Sequence, residues 1–307
     1  MKKTVAIVVP FLNEEGNLPE LYRRVSAVFE KEPEELRFVF VDDGSTDGSF
    51  QWLEKTRQSD PRVGVLQLSR NFGHQIAITA GMDHADADAV VIIDADLQDP
   101  PEVVADLLAK WREGFEVVYA VRKSREGETW LKKFLAASFY RIFHRLAKVN
   151  VPMDAGDFRL VDRKVINALK EVRELHRFMR GLTCWVGFKQ GAVYYDRAAR
   201  KAGVTKYPVW KSLKLAFDAI TSFSAAPLRW VMGLGVIIAF SGFIQGLRVI
   251  VGKILHPEEF ASGWATVVAL ILFLTGIQLL CLGLVGQYVS RIFEESKKRP
   301  LYFLRNQ

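Results

Sequence analysis

Val90-Val91-Ile92-Ile93-Asp94-Ala95-Asp96-Leu97-Gln98-Asp99-Pro100-Pro101-Glu102 runs four apolar, mostly β-branched residues into three carboxylates and closes on a proline pair. The apolar part reads as a short strand buried on both faces, as in a parallel sheet. The aspartates then emerge at its carboxyl end, where open α/β sheets bind their ligands. Residues two apart in an extended chain point the same way, so Asp94 and Asp96 share one target. Paired hard oxygen ligands suit a divalent cation, Mg2+ or Mn2+, bridging a diphosphate. An isolated Asp-x-Asp is a weak signal, and a solvated turn after a strand is its plain alternative.

The rest of the chain strengthens the site. Thr4–Leu12 reads as a first strand, ending in Pro10-Phe11-Leu12-Asn13-Glu14-Glu15, and Leu18, Leu21, Tyr22, Val25 and Phe29 follow at helical spacing. Arg37–Val41 is a second strand, closing on Asp42-Asp43-Gly44-Ser45, and Val63–Leu68 is a third. Helical patterns at Phe50–Gln58 and Asn71–Ala85 alternate with these strands, which predicts an α/β fold with a mainly parallel sheet. Three strand ends therefore carry carboxylates to one edge of the sheet. Gly-x-Gly-x-x-Gly is absent after the first strand, and no Walker-type loop occurs, so phosphates must be held by metal and basic side chains.

Composition narrows the class. The 307 residues carry a net charge of +7, with the cations gathered mid-chain and around the apolar segments. That placement fits anionic headgroups or phosphorylated ligands better than a nucleic-acid stripe. Cys184 and Cys281 have no metal-type spacing and imply no disulfide framework. The apolar run after Met1-Lys2-Lys3 is too short for a signal peptide and is read as strand.

Val117–Arg122 is a further strand, and residues 130–149 form a basic amphipathic helix of the kind that lies in a membrane interface. Asp154-Ala155-Gly156-Asp157-Phe158-Arg159-Leu160 reads as a tight backbone passage, a turn when taken alone. A helical run follows from Arg163, and Tyr194–Arg200 is a last strand leading to Arg200-Lys201-Ala202-Gly203-Val204-Thr205-Lys206. Residues 210–228 are amphipathic, then Val231–Leu255 and Trp264–Val289 are long and apolar enough to span a bilayer core of roughly 30 Å. The cations on the outer flanks place both termini in the cytoplasm and the short loop outside. The expected organisation is a cytoplasmic catalytic domain over 1–206, a juxtamembrane segment over 207–229 and a two-helix membrane hairpin with a cytoplasmic tail over 230–307. Gly233, Gly235, Gly242 and Gly246, with Gly276, Gly283 and Gly286, allow close helix packing and a homo-oligomer.

Val9-Pro10-Phe11-Leu12-Asn13-Glu14-Glu15, Val41-Asp42-Asp43-Gly44-Ser45 and the Asp94–Glu102 stretch, in this order, resemble the inverting glycosyltransferases of family 2, which have the Rossmann-like GT-A fold. Leu68-Ser69-Arg70-Asn71-Phe72-Gly73-His74 and the apolar helix pair are similar to polyprenyl-phosphate glycosyltransferases of the bactoprenol glucosyltransferase type, relatives of dolichyl-phosphate mannose synthase. Processive synthases of the family carry Gln-x-x-Arg-Trp, whereas Ala226 stands before Arg229-Trp230 here, which argues against polymer extrusion.

The resemblance implies that Pro10, Leu12 and Glu14 line base and ribose, with Asp42 reading the base edge and Asp43 beside it. Asp94, Ala95 and Asp96 would hold ribose, diphosphate and Mg2+ or Mn2+, with Gln98 a further metal ligand. Arg122, Arg200 and Lys206 would bind donor diphosphate or acceptor phosphate, and Lys132, Lys133 and Arg159 the acceptor phosphate. Asp157 falls where such enzymes place a base, its other role being to orient a cation such as Arg159. The implied reaction carries a hexose, glucose from UDP-glucose first, to undecaprenyl phosphate. N-acetylglucosamine, galactose, aminoarabinose and mannose donors stay open, as does a silent nucleotide-binding membrane module. A transporter is disfavoured because neither span holds an acidic residue.

Overall fold

The computed structural model describes residues 2–123, 155–196, 226–255 and 263–305. Contacts divide the chain into two units, Met1–Pro208 with Pro300–Gln307, and Val209–Arg299. The expected helix at 130–149 and most of the 207–229 segment lie outside the described residues, with Lys132, Lys133, Arg200 and Lys206.

The first unit is built on alternating strands and helices: β1 (Thr4–Phe11), α1 (Leu18–Phe29), β2 (Glu35–Asp42), α2 (Ser49–Ser59), β3 (Val63–Gln67), α3 (His74–His84), β4 (Ala89–Ile92), α4 (Val103–Arg112), β5 (Val117–Arg122), β6 (Ala155–Asp162), α5 (Arg163–Glu171), α6 (Met179–Trp185) and β7 (Gln190–Tyr195). One seven-stranded sheet runs β3-β2-β1-β4-β6-β5-β7. The pairs β1–β2, β1–β4, β2–β3 and β5–β7 are parallel. β6 alone runs antiparallel, against both β4 and β5. The α/β architecture with a mainly parallel sheet is as the sequence leads one to expect.

β1 and β4 are apolar throughout because both their faces are covered. Leu18, Leu21 and Val25 of α1, Leu53 of α2 and Leu107 and Leu108 of α4 pack on one face. α3 covers the other, so closely that a Cβ on Gly81 would stand 2.3 Å from Val8 Cγ1. Each buried branched aliphatic side chain contributes about 1.5–3 kcal/mol relative to exposure.

Four elements depart from the sequence reading. Pro100-Pro101 leads into α4 from just before its Glu102 N-cap: the Val103 and Val104 amides bond the two proline carbonyls, and outside the helix a missing proline N–H costs nothing. Residues 155–162 form a strand rather than a turn, inserted between β4 and β5 and paired with both. β7 begins at Gln190, before the expected Tyr194, and residues 197–200 of the expected strand lie outside the described residues. Its Gly191, a weak strand former, lies under Phe115, whose ring a Cβ would meet at 2.8 Å. α6, carried by a short segment without clear periodicity, was not expected at all.

The second unit holds two long helices, α7 (Ala226–Leu255) and α8 (Trp264–Ser296). Each contains a window long and apolar enough to cross a membrane, Pro227–Gln245 and Phe273–Ser296, with mean hydropathies of 1.7 and 1.5 and no burial. The tail from Pro300 onward belongs to the first unit.

Candidate active site

The strand order reverses between β1 and β4: the chain passes from β1 outward to β2 and β3, then returns to the other side of β1. Such a switch point opens a crevice at the carboxyl ends of the strands. A cleft of about 500 Å³ lies there, lined by Pro10, Leu12, Glu14, Asp43, Asp94, Ala95, Asp96 and Asp157, together with Asn71, Gly73, His74 and Arg180. β6 explains how Asp157 joins the others. Because it runs antiparallel, with Arg159 opposite Ile92 and Ala155 opposite Val121, its amino end reaches the edge where β4 and β5 have their carboxyl ends.

The loop after β4 is held in a shape few residues adopt. Leu97 has φ 56°, in the left-handed region, and the Gln98 amide donates to Asp96 Oδ1 at 3.1 Å. Asp94 Oδ1 is buried without a hydrogen-bond partner. Burial, chiefly, raises the Asp94 pKa to about 6; His74 opposes this and Asp157, Asp96 and Asp99 add to it. An unbonded buried carboxylate oxygen beside a second carboxylate fits a divalent cation. Among the described residues no three His, Cys, Asp or Glu side chains form a ready-made metal cage. That suits a cation held by one or two carboxylates and completed by phosphate oxygens.

Asp157, almost wholly buried, is the anchor of the opposite wall. Arg180 on α6 grips it in a fork, Nε to Oδ1 and Nη2 to Oδ2, both at 3.0 Å. Gln75 Nε2 donates to Oδ2 at 3.3 Å while its Oε1 accepts from the Met179 amide, tying α3 to α6. His74 Nε2 stands 3.4 Å from both Asp157 Oδ2 and Asp94 Oδ1. Burial alone would raise the Asp157 pKa, but Arg180, His74 and Arg159 outweigh it and hold the group well below the usual carboxylate range. For His74 the desolvation penalty is likewise overcome, by Asp157 and Asp94, and its pKa is raised.

The wall toward β2 is a cross-linked set of turns. Asn13, also in the left-handed region with φ 58°, takes the Thr46 amide on its side chain, and the Asn13 and Glu14 amides bond Ser45 and Ser49 hydroxyls. Asp43 accepts from the Phe72 and Gly73 amides. Gly44, φ 88°, lies against the backbone of Arg70 and Asn71, with 3.0 Å between an added Cβ and the Asn71 nitrogen.

Three expected roles change. Asp42 has no exposed surface. It accepts from the Ser45 amide and Gln67 Nε2, so it shapes the turn from beneath and does not itself face a base. Arg159 is fully buried, with Nη1 on Thr183 Oγ1 and Nη2 on the Gly156 carbonyl, so it supports the floor and cannot meet a lipid phosphate. Gln98 is buried beside the loop and outside the cleft lining. Arg122 stands over Gly156, 3.5 Å from Asp99. His74 was read only as part of a motif, and Arg180 not at all. The only mark it leaves in the sequence is a lone cation in Phe178-Met179-Arg180-Gly181-Leu182.

Residues 6–170 match the model for glycosyl transferase family 2, and residues 226–292 match that for the GtrB C-terminal hairpin. The uncharacterized glycosyltransferase YkcC of Bacillus subtilis is 48% identical over 300 residues, covering 98% of this chain and 93% of its own. The bactoprenol glucosyl transferase of Shigella phage SfV is 39% identical over 303 residues, covering 99% and 98%. Among solved structures, glucosyl-3-phosphoglycerate synthase from Mycobacterium tuberculosis, with Mn2+, UDP and phosphoglyceric acid, aligns over 71% of this chain and 76% of its own, with 19% identity and a TM-score of 0.48. The carboxylate-lined crevice at the switch point thus falls within a match that spans more than half of the chain, and the protein belongs to glycosyl transferase family 2.

Proposed function

We propose that this glycosyltransferase moves a hexose, glucose from UDP-glucose in the first instance, onto polyprenyl phosphate at the cytoplasmic face of a membrane, with inversion. The observation that carries the reading is one cleft with two differently charged walls, the Asp94/Asp96 pair facing the Asp157-anchored Arg180 and His74. The similarity to bactoprenol glucosyl transferases over nearly the whole chain supports the acceptor class. The apolar pair α7 and α8 is long and apolar enough to hold the chain in the membrane where such an acceptor resides. Residues up to Pro208 and from Pro300 onward belong to one unit, which favours an even number of crossings.

In this reading Asp94 and Asp96 would hold Mg2+ or Mn2+, which would supply Lewis-acid neutralisation of the departing diphosphate. Pro10, Leu12 and Glu14 line the donor's nucleoside and Asp43 fixes the wall behind it. An acceptor phosphate oxygen forms the new bond to the anomeric carbon as the bond to the diphosphate oxygen breaks. A phosphate monoester, with a second pKa of about 6, is mostly dianionic near neutral pH, so little deprotonation is needed. A general base works best with a pKa near the working pH. Asp157, held far below that, serves instead to aim Arg180 and His74 at the incoming phosphate.

The test is transfer of radiolabelled sugar from a panel of nucleotide sugars to undecaprenyl phosphate by the detergent-purified chain, with and without Mg2+ or Mn2+. Metal-dependent lipid-linked product, lost in Asp96→Ala, is expected, and the productive donor names the sugar. Absence of product from every donor, with nucleotide still bound, would sink the proposal in favour of a silent binding module. Loss of one charged hydrogen-bond donor to phosphate costs about 1.5–3 kcal/mol. Arg180→Gln should therefore raise the KM for the lipid about 10- to 100-fold while sparing that for the donor. An unchanged lipid KM removes Arg180 from the acceptor site.

A further inference from the structure

β3 is the outermost strand on its side of the sheet, and the carboxyl end of its open edge, with the residues that follow, is met by the tail after α8. Leu304 forms an antiparallel bridge with Leu68. The Ser69 amide donates to the Phe303 carbonyl and the Arg305 amide to the Gln67 carbonyl, each at 2.8 Å. Tyr302 donates its hydroxyl to Asp83 Oδ2 at 3.0 Å and meets the His84 ring edge-on. Tyr302 and Leu304 pack with Phe72 against Val41, Leu68, Ala77 and Ala80.

Covering an exposed strand edge protects against wrong pairing, but these contacts fall at particular places. Gln67, which receives the Arg305 amide, sends its own Nε2 to Asp42 Oδ2 at 3.2 Å. Leu68 donates its amide to the Asp42 carbonyl at 2.9 Å. Phe72, packed beside the tail, donates its amide to Asp43 at 2.7 Å. The next residues, Gly73 and His74, line the cleft. The tail thus grips a segment whose other side is bonded to the Asp42-Asp43 turn.

We infer that residues 301–305 are a positioning element of the nucleotide-sugar site. They hold Gln67–His74, and through it the Asp42-Asp43 turn, in the shape that receives the donor, an inference that rests on the donor reading of the cleft. The tail touches no substrate; it acts through the 67–74 segment.

The full-length chain in detergent tests this, with UDP and Mg2+ as the probe in calorimetry and hydrogen exchange followed over residues 67–74. Leu304→Asp should speed exchange at Ser69, weaken UDP binding about tenfold and raise the donor KM more than it lowers kcat. Tyr302→Phe should move all three in the same direction by less. Faster exchange at Ser69 with UDP affinity unchanged overturns the inference and leaves the tail as an edge cover. Should Leu304→Asp fail to fold, Tyr302→Phe decides by the same criterion. A wild-type chain that binds no UDP overturns the donor reading itself, an outcome distinguished by exchange at 67–74 still answering to the tail.

Discussion

Asp94 and Asp157 face the same cleft and are driven in opposite directions. Burial lifts Asp94 to a pKa of about 6, whereas Arg180 and His74 keep Asp157 ionised against its own burial. A carboxyl whose folded pKa exceeds its unfolded value destabilises the fold as pH rises between the two, and the penalty is complete above the folded pKa. Asp94→Asn should therefore melt at a higher temperature than wild type above pH 6, without metal, and lose this advantage toward pH 4; a lower melting temperature at pH 8 would contradict the assignment. The same substitution should cut transfer by about a hundredfold or more. With Asp94 as the proposed metal ligand, protons and metal would compete for it, so kcat/KM should fall as pH drops through about 6, and that limb should move to lower pH as Mg2+ is raised. The Asp94/Asp96 pair was legible in sequence because alternate residues at a strand end share a direction. Asp157 was located by resemblance only, since no residue pattern announces that β6 enters the sheet backwards. Arg159 was misjudged for a related reason: an arginine beside a carboxylate looks like a phosphate ligand until a strand turns it inward.

At the scale of elements, the parallel core was readable because strands covered on both faces are uniformly apolar and end in polar residues. Elements whose signals are ambiguous were not. Proline pairs both end strands and begin helices, and α4 required knowing where the chain goes next. α3 makes a close approach that can be tested. Its Gly81 meets Val8 Cγ1, on a stiff β-branched side chain inside a strand, so the helix must lift to admit a methyl group. Gly81→Ala should cost about 1–3 kcal/mol, read as a lowered melting temperature. Because α3 begins at His74, it should also reduce transfer more than a surface alanine substitution does. Gly44→Ala faces both a positive φ and the Asn71 backbone. It should raise the donor KM with little change in that for the lipid, measured by steady-state kinetics.

For the whole molecule, the apolar surfaces of α7 and α8 are the dominant fact outside the sheet. Two unburied helices of this hydropathy predict that the chain sediments with membranes and resists alkaline extraction. Gly263→Cys and Ser296→Cys, in a chain with Cys184→Ala and Cys281→Ser, report the topology. A membrane-impermeant maleimide should label position 263 only in right-side-out vesicles and position 296 only in inverted ones. The hairpin was the plainest feature in the sequence, because a span is written in consecutive residues. The tail was the least plain: Tyr302 reaches an Asp83 that lies 219 residues away. That separation gives the order of synthesis a chemical meaning. β3 leaves the ribosome before α8, and the residues that reach its edge follow α8. A chain broken off within α8 therefore keeps that sheet edge open, so the first unit closes only after the apolar pair has been made.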